Sequence, residues 1–145
     1  MSAINLSTID RETIVGAIRE AEKDTSGEIR VHLDKKCPED VLDRAAYWFE
    51  KLKMHKTALR NGVLFYVAVD DHKFAILGDA GINAKVPAGF WDDIKCTLLY
   101  YFQKGDLAGG LAVGIRMSGQ QLKAHFPYQS DDVNELPDDI SFGKS

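Results

Sequence analysis

Cysteine is scarce in this chain. The two that occur, Cys37 and Cys96, stand too far apart for a metal or redox pair, so a disulfide framework and a cysteine zinc site are both excluded. Two free thiols suit a reducing compartment, and a cytoplasmic location is expected. Long apolar runs are also missing. The longest, residues 63 to 69, is far short of the ~20 residues a membrane helix needs. Residues 1 to 7 carry neither a basic region nor an apolar core, so no secretory signal is expected there. A surplus of basic residues is absent as well. Lys and Arg total 18 against 22 Asp and Glu, for a net charge of -4. Nucleic-acid binding needs a basic footprint, and this chain offers none.

Several catalytic spacings are lacking too. Neither cysteine has an arginine six residues later, which rules out a thiol phosphatase loop. No Asp-x-Asp pair follows a strand to supply an aspartyl-phosphate nucleophile. Neither G-x-S-x-G nor G-x-x-x-x-G-K-[ST] occurs. For an enzyme, the route left open is metal-assisted hydrolysis, in which a cation polarises a phosphoryl oxygen or activates a water.

What is present is an ordinary globular composition, 45% hydrophobic and 28% charged, in a chain long enough for one domain with a real core. The charge is uneven. Residues 128 to 145 hold five acids and one base, which leaves a neutral body of 17 acids and 17 bases. The domain is therefore expected over residues 1 to 127, with residues 128 to 145 as an acidic, mobile tail.

Residues 61 to 82 organise the body. Asn61-Gly62 makes a turn, and residues 63 to 69 are all apolar, as expected of a central strand buried on both faces. Asp70, Asp71 and His72 break the run, and residues 73 to 77 return as the second arm of a hairpin. Residues 28 to 34 alternate: Ile29, Val31 and Leu33 face one way, Arg30, His32 and Asp34 the other. That pattern predicts a half-buried strand at a sheet edge. Helical spacing predicts helices over residues 9 to 23, 39 to 53, 88 to 104 and 107 to 124, with Asp106 capping the last. That last helix holds Gly109, Gly110, Gly114 and Gly119, at a cost of ~1 kcal/mol each relative to Ala. Close packing against a bulky neighbour such as Trp91 or Tyr101 accounts for them. A strand, a helix and a second strand imply a right-handed parallel crossover. The fold class is α/β, a three-layer α/β/α sandwich with a small mixed sheet and about four helices.

This topology sorts the polar residues into two groups. Asp34, Asp70 and Asp71 fall at the carboxyl ends of the parallel strands, where open α/β sheets usually bind ligands. Glu28, Asn61 and Asp79 fall at the opposite edge, with Asn83 just beyond. Oxygen-bearing side chains brought together can hold Ca²⁺ or Mg²⁺. The bland reading of each stands beside this one. Asp70 and Asp71 make a solvated turn, Asp79 caps a turn, Glu28 pairs with a surface base, and Asp93 occupies the exposed first turn of a helix. The four histidines share no ligand spacing and are expected at the surface.

Five segments carry a resemblance: TSGEIRVHL from residue 25, RNGVLFYVA from 60, KFAILGDAGI from 73, KVPAGFWDDI from 85 and FQKGDLAGGLAVGI from 102. Together they resemble the TPM domain family, which includes a thylakoid-lumen acid phosphatase and photosystem repair proteins. The resemblance spans about residues 10 to 127. It implies an α/β/α sandwich, divalent cation binding with Ca²⁺ foremost, and a phosphatase activity proposed for some members. It puts weight on Glu28 and Asp79 over the Asp70-Asp71 turn. The expected metal ligands are then Glu28 and Asp79 with Asn83 or Asp93, and Asp34, Asp70 and Asp71 are secondary candidates. Many relatives carry a signal peptide and a membrane anchor, and neither is expected here. Two functions follow: a cation-binding domain with metal-dependent phosphatase activity, or a non-enzymatic module that binds a partner protein and holds a structural cation.

Overall fold

A computed structural model of the chain describes residues 6–23, 25–128 and 140–143. The elements run α1 (Thr8–Glu22), β1 (Glu28–Asp34), α2 (Val41–Lys51), a 3-10 turn (Met54–Lys56), β2 (Gly62–Ala68), β3 (Lys73–Gly78), α3 (Ala80–Asn83), α4 (Phe90–Gln103), α5 (Leu107–His125) and β4 (Ile140–Phe142). The helix starts are chemically marked. Ser7, Asp40 and Asp106 each accept backbone N–H groups at the first turns of α1, α2 and α5.

The strands form one sheet in the order β3-β2-β1-β4. β1 is parallel to both β2 and β4, while β2 and β3 are antiparallel. All seven residues of β2 are buried, as its unbroken apolar run predicts. Alternation then divides the core. Ile29, Val31, Leu33, Val63, Phe65 and Val67 face one side, where Ile14, Ile18, Ile94, Leu98, Leu111 and Ile115 from α1, α4 and α5 cover them. Leu64, Tyr66, Ala68 and Ala75 face the other side and meet Ala45, Trp48 and Phe49 of α2, with Met54 behind. This is the expected three-layer sandwich.

The glycines of α5 are contact points. A Cβ at Gly110 would strike Tyr101 and Phe102, one at Gly114 would press on Phe65, Ile94 and Leu98, and one at Gly119 would strike Ala21. Tyr101 is thus one of the expected neighbours. Trp91 instead lies over Gly78 of β3.

Two expectations need correction. β1 is neither at an edge nor half-buried: β4 covers its outer side, and only Arg30 of its seven residues is less than fully buried. The tail is likewise not wholly apart from the domain. Ile140–Phe142 pairs with Val31, His32 and Leu33, and Ile140 enters the core. Three residues are too few for a periodic pattern, and acidic flanks masked them. Residues 129–139 and 144–145, also assigned to the tail, lie outside the described residues.

Candidate functional site

At the amino end of the parallel strands, Glu28 stands opposite Gly62 in the β1–β2 register, and its N–H donates to the Asn61 carbonyl. From the other side, the Asp79 N–H donates to the Gly62 carbonyl over 2.9 Å. The two acids therefore flank one short stretch of backbone, Asn61-Gly62, a strand's width away on each side. Asp79 is an N-cap, accepting from Ala80 N at 2.7 Å. Its carboxylate also takes both arms of the Arg60 guanidinium, Nε to Oδ2 at 2.7 Å and a terminal N–H to Oδ1 at 2.8 Å. This forked pair raises the Arg60 pKa, through the hydrogen bond first and the Asp79 charge second.

Asn61 is the unusual member. It is 1% exposed, yet its side-chain oxygen has no hydrogen-bond partner among the described residues. Its Nδ2 reaches only Ser26 Oγ, at 3.5 Å. A buried carbonyl oxygen left unpaired costs about 1–3 kcal/mol. Such an atom, with an acid on each side of its strand and Met54 over Gly62 between them, offers an oxygen of the kind a hard cation takes as ligand. Among the described residues, however, no three of His, Cys, Asp and Glu are grouped so as to hold a metal. A cation here would draw on Glu28, Asp79 and the Asn61 amide oxygen, and it would compete with Arg60 for Asp79.

At the carboxyl end the chemistry is closed. Asp34 accepts from His32 Nε2 at 2.9 Å, Tyr66 Oη at 2.6 Å and Trp48 Nε1 at 3.2 Å, with Arg44 Nε 3.6 Å away. His32 is fully buried and stacked on Trp48 with ring centroids 3.8 Å apart, and its Nδ1 meets Ser141 Oγ of β4 at 2.9 Å. A Cβ at Gly143 would run into the Asp34 carboxylate, so the backbone of that glycine seals the cluster. Burial alone would raise the Asp34 pKa. Hydrogen bonds from His32 and Tyr66, with the charges of His32 and Arg44, hold it below the ordinary value. Burial, then the bond to Asp34 and its charge, drives the Tyr66 pKa far upward.

The structure thus separates the predicted residues by role. Glu28 and Asp79 lie at one edge beside Asn61. Asn83 is spent on structure: Nδ2 donates to the Gly78 carbonyl at 2.7 Å and Oδ1 accepts from Trp91 Nε1 at 2.9 Å. Asp93 is exposed in the first turn of α4. Asp70 pairs with Lys35 at 2.7 Å, and Asp71 accepts from Cys37 N at 2.7 Å, so the hairpin turn is tied to the loop after β1. The expectation that all four histidines lie at the surface fails for His32. The alternation of β1 showed which face it shares with Asp34, but not that α2 and β4 close over that face. The sequence pattern does not single out Arg60, whose guanidinium takes the Asp79 carboxylate. A signal existed, since this arginine directly precedes the Asn61-Gly62 turn.

The model of the TPM domain matches residues 2–121. The NMR structure of the BA42 protein from the psychrophilic bacterium Bizionia argentinensis is 49% identical, covers 99% of this chain and 100% of that one, and superposes with a TM-score of 0.89. The N-terminal domain of the cg2496 protein from Corynebacterium glutamicum is 14% identical, with coverages of 89% and 80% and a TM-score of 0.66. An N-terminal domain from P. gingivalis is 20% identical, with coverages of 86% and 82% and a TM-score of 0.67. At those lower identities the likeness is one of fold. No curated protein matches significantly.

Proposed function

Because the chain belongs to the TPM domain family, we propose that it binds a divalent cation, Ca²⁺ or Mg²⁺, at the amino end of β1 and β2. Glu28, Asp79 and the side-chain oxygen of Asn61 would hold it. The observation that carries this reading is the buried Asn61 oxygen without a partner among the described residues, set beside two acids. When bound, the cation would supply Lewis acidity toward a phosphoryl oxygen, the basis for phosphomonoester hydrolysis. The chain's own residues would orient the cation and exclude water from its inner side. Asn83 supports the edge by tying α3 to β3 and α4. Two free cysteines, Cys37 and Cys96, accord with a reducing cytoplasm. No described helix is long and apolar enough to cross a membrane.

The test is a Ca²⁺ titration followed by backbone amide NMR. Shifts centred on Glu28, Asn61 and Asp79, lost in Asp79→Asn, are expected. Shifts centred on Asp34 and Asp70 would move the site to the other edge, and no shifts at saturating cation would remove it.

A second reading, a non-enzymatic module for a partner protein, has its own support. A cavity of about 280 Å³ opens between β3, α4 and the start of α5, lined by Val67, Phe74, Leu99, Phe102 and Leu107. Leu99 is about half exposed at its rim. Cation binding without turnover of any phosphomonoester in a broad panel favours this reading.

A further inference from the structure

Arg60 holds an uncommon backbone position. Its φ is +52°, in the left-handed region, although it is not a glycine. Its main chain is fastened on both sides: its N–H donates to the Thr57 carbonyl, and its carbonyl accepts from Gly81 N at 2.8 Å. Gly81 comes so close that a Cβ there would collide with the carbonyls of Leu59 and Arg60. The turn is therefore rigid and built against the first residues of α3. The Arg60 side chain contrasts with its backbone. It is 51% exposed, while the Asp79 carboxylate beneath it is only 6% exposed. The guanidinium is the outer cover of that carboxylate, and it can swing into water without disturbing the backbone that carries it.

Resting on the cation reading above, we propose that Arg60 is a tethered competitor for the cation: its guanidinium closes the site by occupying Asp79, and a divalent cation binds only by displacing it. Like-charge repulsion favours the exchange. Asp79 Oδ2 faces Arg60 Nε, and Oδ1 is shared between Arg60 and Ala80 N. Three hydrogen bonds already fill most of the carboxylate's acceptor positions, and an ion about 2.0–2.6 Å from Oδ2 would stand close to the like-charged guanidinium whose Nε is 2.7 Å from the same oxygen. Charge balance points the same way, since the pair keeps a nearly buried carboxylate neutralised when no cation is bound. Apparent affinity is then the intrinsic affinity multiplied by the fraction of molecules in which Arg60 has left. The latch thus sets the cation concentration at which the edge responds, and the Asn61 oxygen becomes a ligand only once it opens.

The experiment compares wild type, Arg60→Gly, Arg60→Lys, Asp79→Asn and Lys56→Ala in Ca²⁺ titrations at fixed ionic strength, read by amide and Arg Nε–Hε NMR. Arg60→Gly suits a positive φ, so the turn is retained. It should bind about two- to fivefold more tightly than wild type, the upper part of the range expected for a partly exposed ion pair. Arg60→Lys keeps the charge without the fork and should fall between. Lys56→Ala removes a nearby exposed charge and should leave the affinity within about twofold, separating the latch from general electrostatics. In wild type, saturating Ca²⁺ should return the Arg60 Nε–Hε signal to that of a solvated arginine. If Arg60→Gly binds no more tightly than wild type, or if the Arg60 signal is unmoved at saturation, the latch is overturned while the cation site stands. If Asp79→Asn binds as well as wild type, or if neither wild type nor Arg60→Gly responds at this edge, the site itself falls and the latch with it.

Discussion

The two ends of the sheet hold similar residues to opposite ends. At the carboxyl end, Asp34 is enclosed by an aromatic wall, a histidine and β4, and its oxygens are matched by donors from β1, α2 and β2. At the amino end, Asp79 is met by one half-exposed guanidinium, and a buried amide oxygen in the neighbouring stretch lacks a partner among the described residues. A fully matched buried carboxylate rigidifies a core. A carboxylate held by an exchangeable, half-exposed partner can be given to a ligand. Conserving structure and doing chemistry thus call for different surroundings of the same side chain, and the difference argues for function at the amino end.

That contrast can be broken most forcefully at Asp34. Asp34→Ala should cost about 3–5 kcal/mol in denaturant unfolding, because Tyr66, Trp48 and His32 would lose a buried acceptor at ~1–3 kcal/mol each, offset by partial relaxation. A loss under about 1 kcal/mol would show that the cluster is not what secures this end. Acid should act through the same group. Its folded pKa is below the ordinary 3.8, so its contribution is intact above that value and is lost as pH falls past 3.8 and through the lower folded value. Asp34→Asn should flatten that part of the stability–pH curve, measured by thermal unfolding between pH 5 and 2.

Gly143→Ala tests the seal. The new methyl group meets the Asp34 carboxylate, and a loss of about 1–3 kcal/mol is expected. Faster hydrogen exchange at Val31 and Leu33, the partners of β4, should accompany it. The smallest stability effect belongs to the amino end. Asp79→Ala removes the α3 cap and should cost about 1 kcal/mol, while Asp79→Asn keeps a capping side chain and should shift the melting temperature little. The same Asn variant should nevertheless abolish the cation response at Glu28 and Asn61. Large stability effects at one end with none on cation binding, and the reverse at the other, would sharpen the division of labour. Equal effects at both ends would dissolve it.

Particular residues show why part of this was legible beforehand. The run from Val63 to Val69 announces a strand buried on both faces because no polar residue interrupts it. The glycines of α5 announce close contact because nothing else repays their helical cost. Glu28, Asn61 and Asp79 could be assigned to one edge because strand direction follows from a right-handed crossover. Each of these is a local pattern, or topology deduced from one. Asn83 and Asp93 had the right chemistry and the right neighbourhood in the chain, but their hydrogen bonding and exposure are decided by packing. Asn83 is spent on Trp91 and Gly78. His32 lies 109 residues from Ser141, and nothing in the sequence near either foretells their contact.

Periodicity and turn chemistry alone therefore determined the layers, the central strand, the helix starts and the edge at which the acids gather, since burial writes itself into apolar spacing. Tertiary structure alone decided that β4 closes over β1, that His32 and Asp34 are enclosed, and that Arg60 lies across Asp79. Those outcomes depend on which side chains meet across the fold and how much water is left between them, and spacing along a chain does not record either.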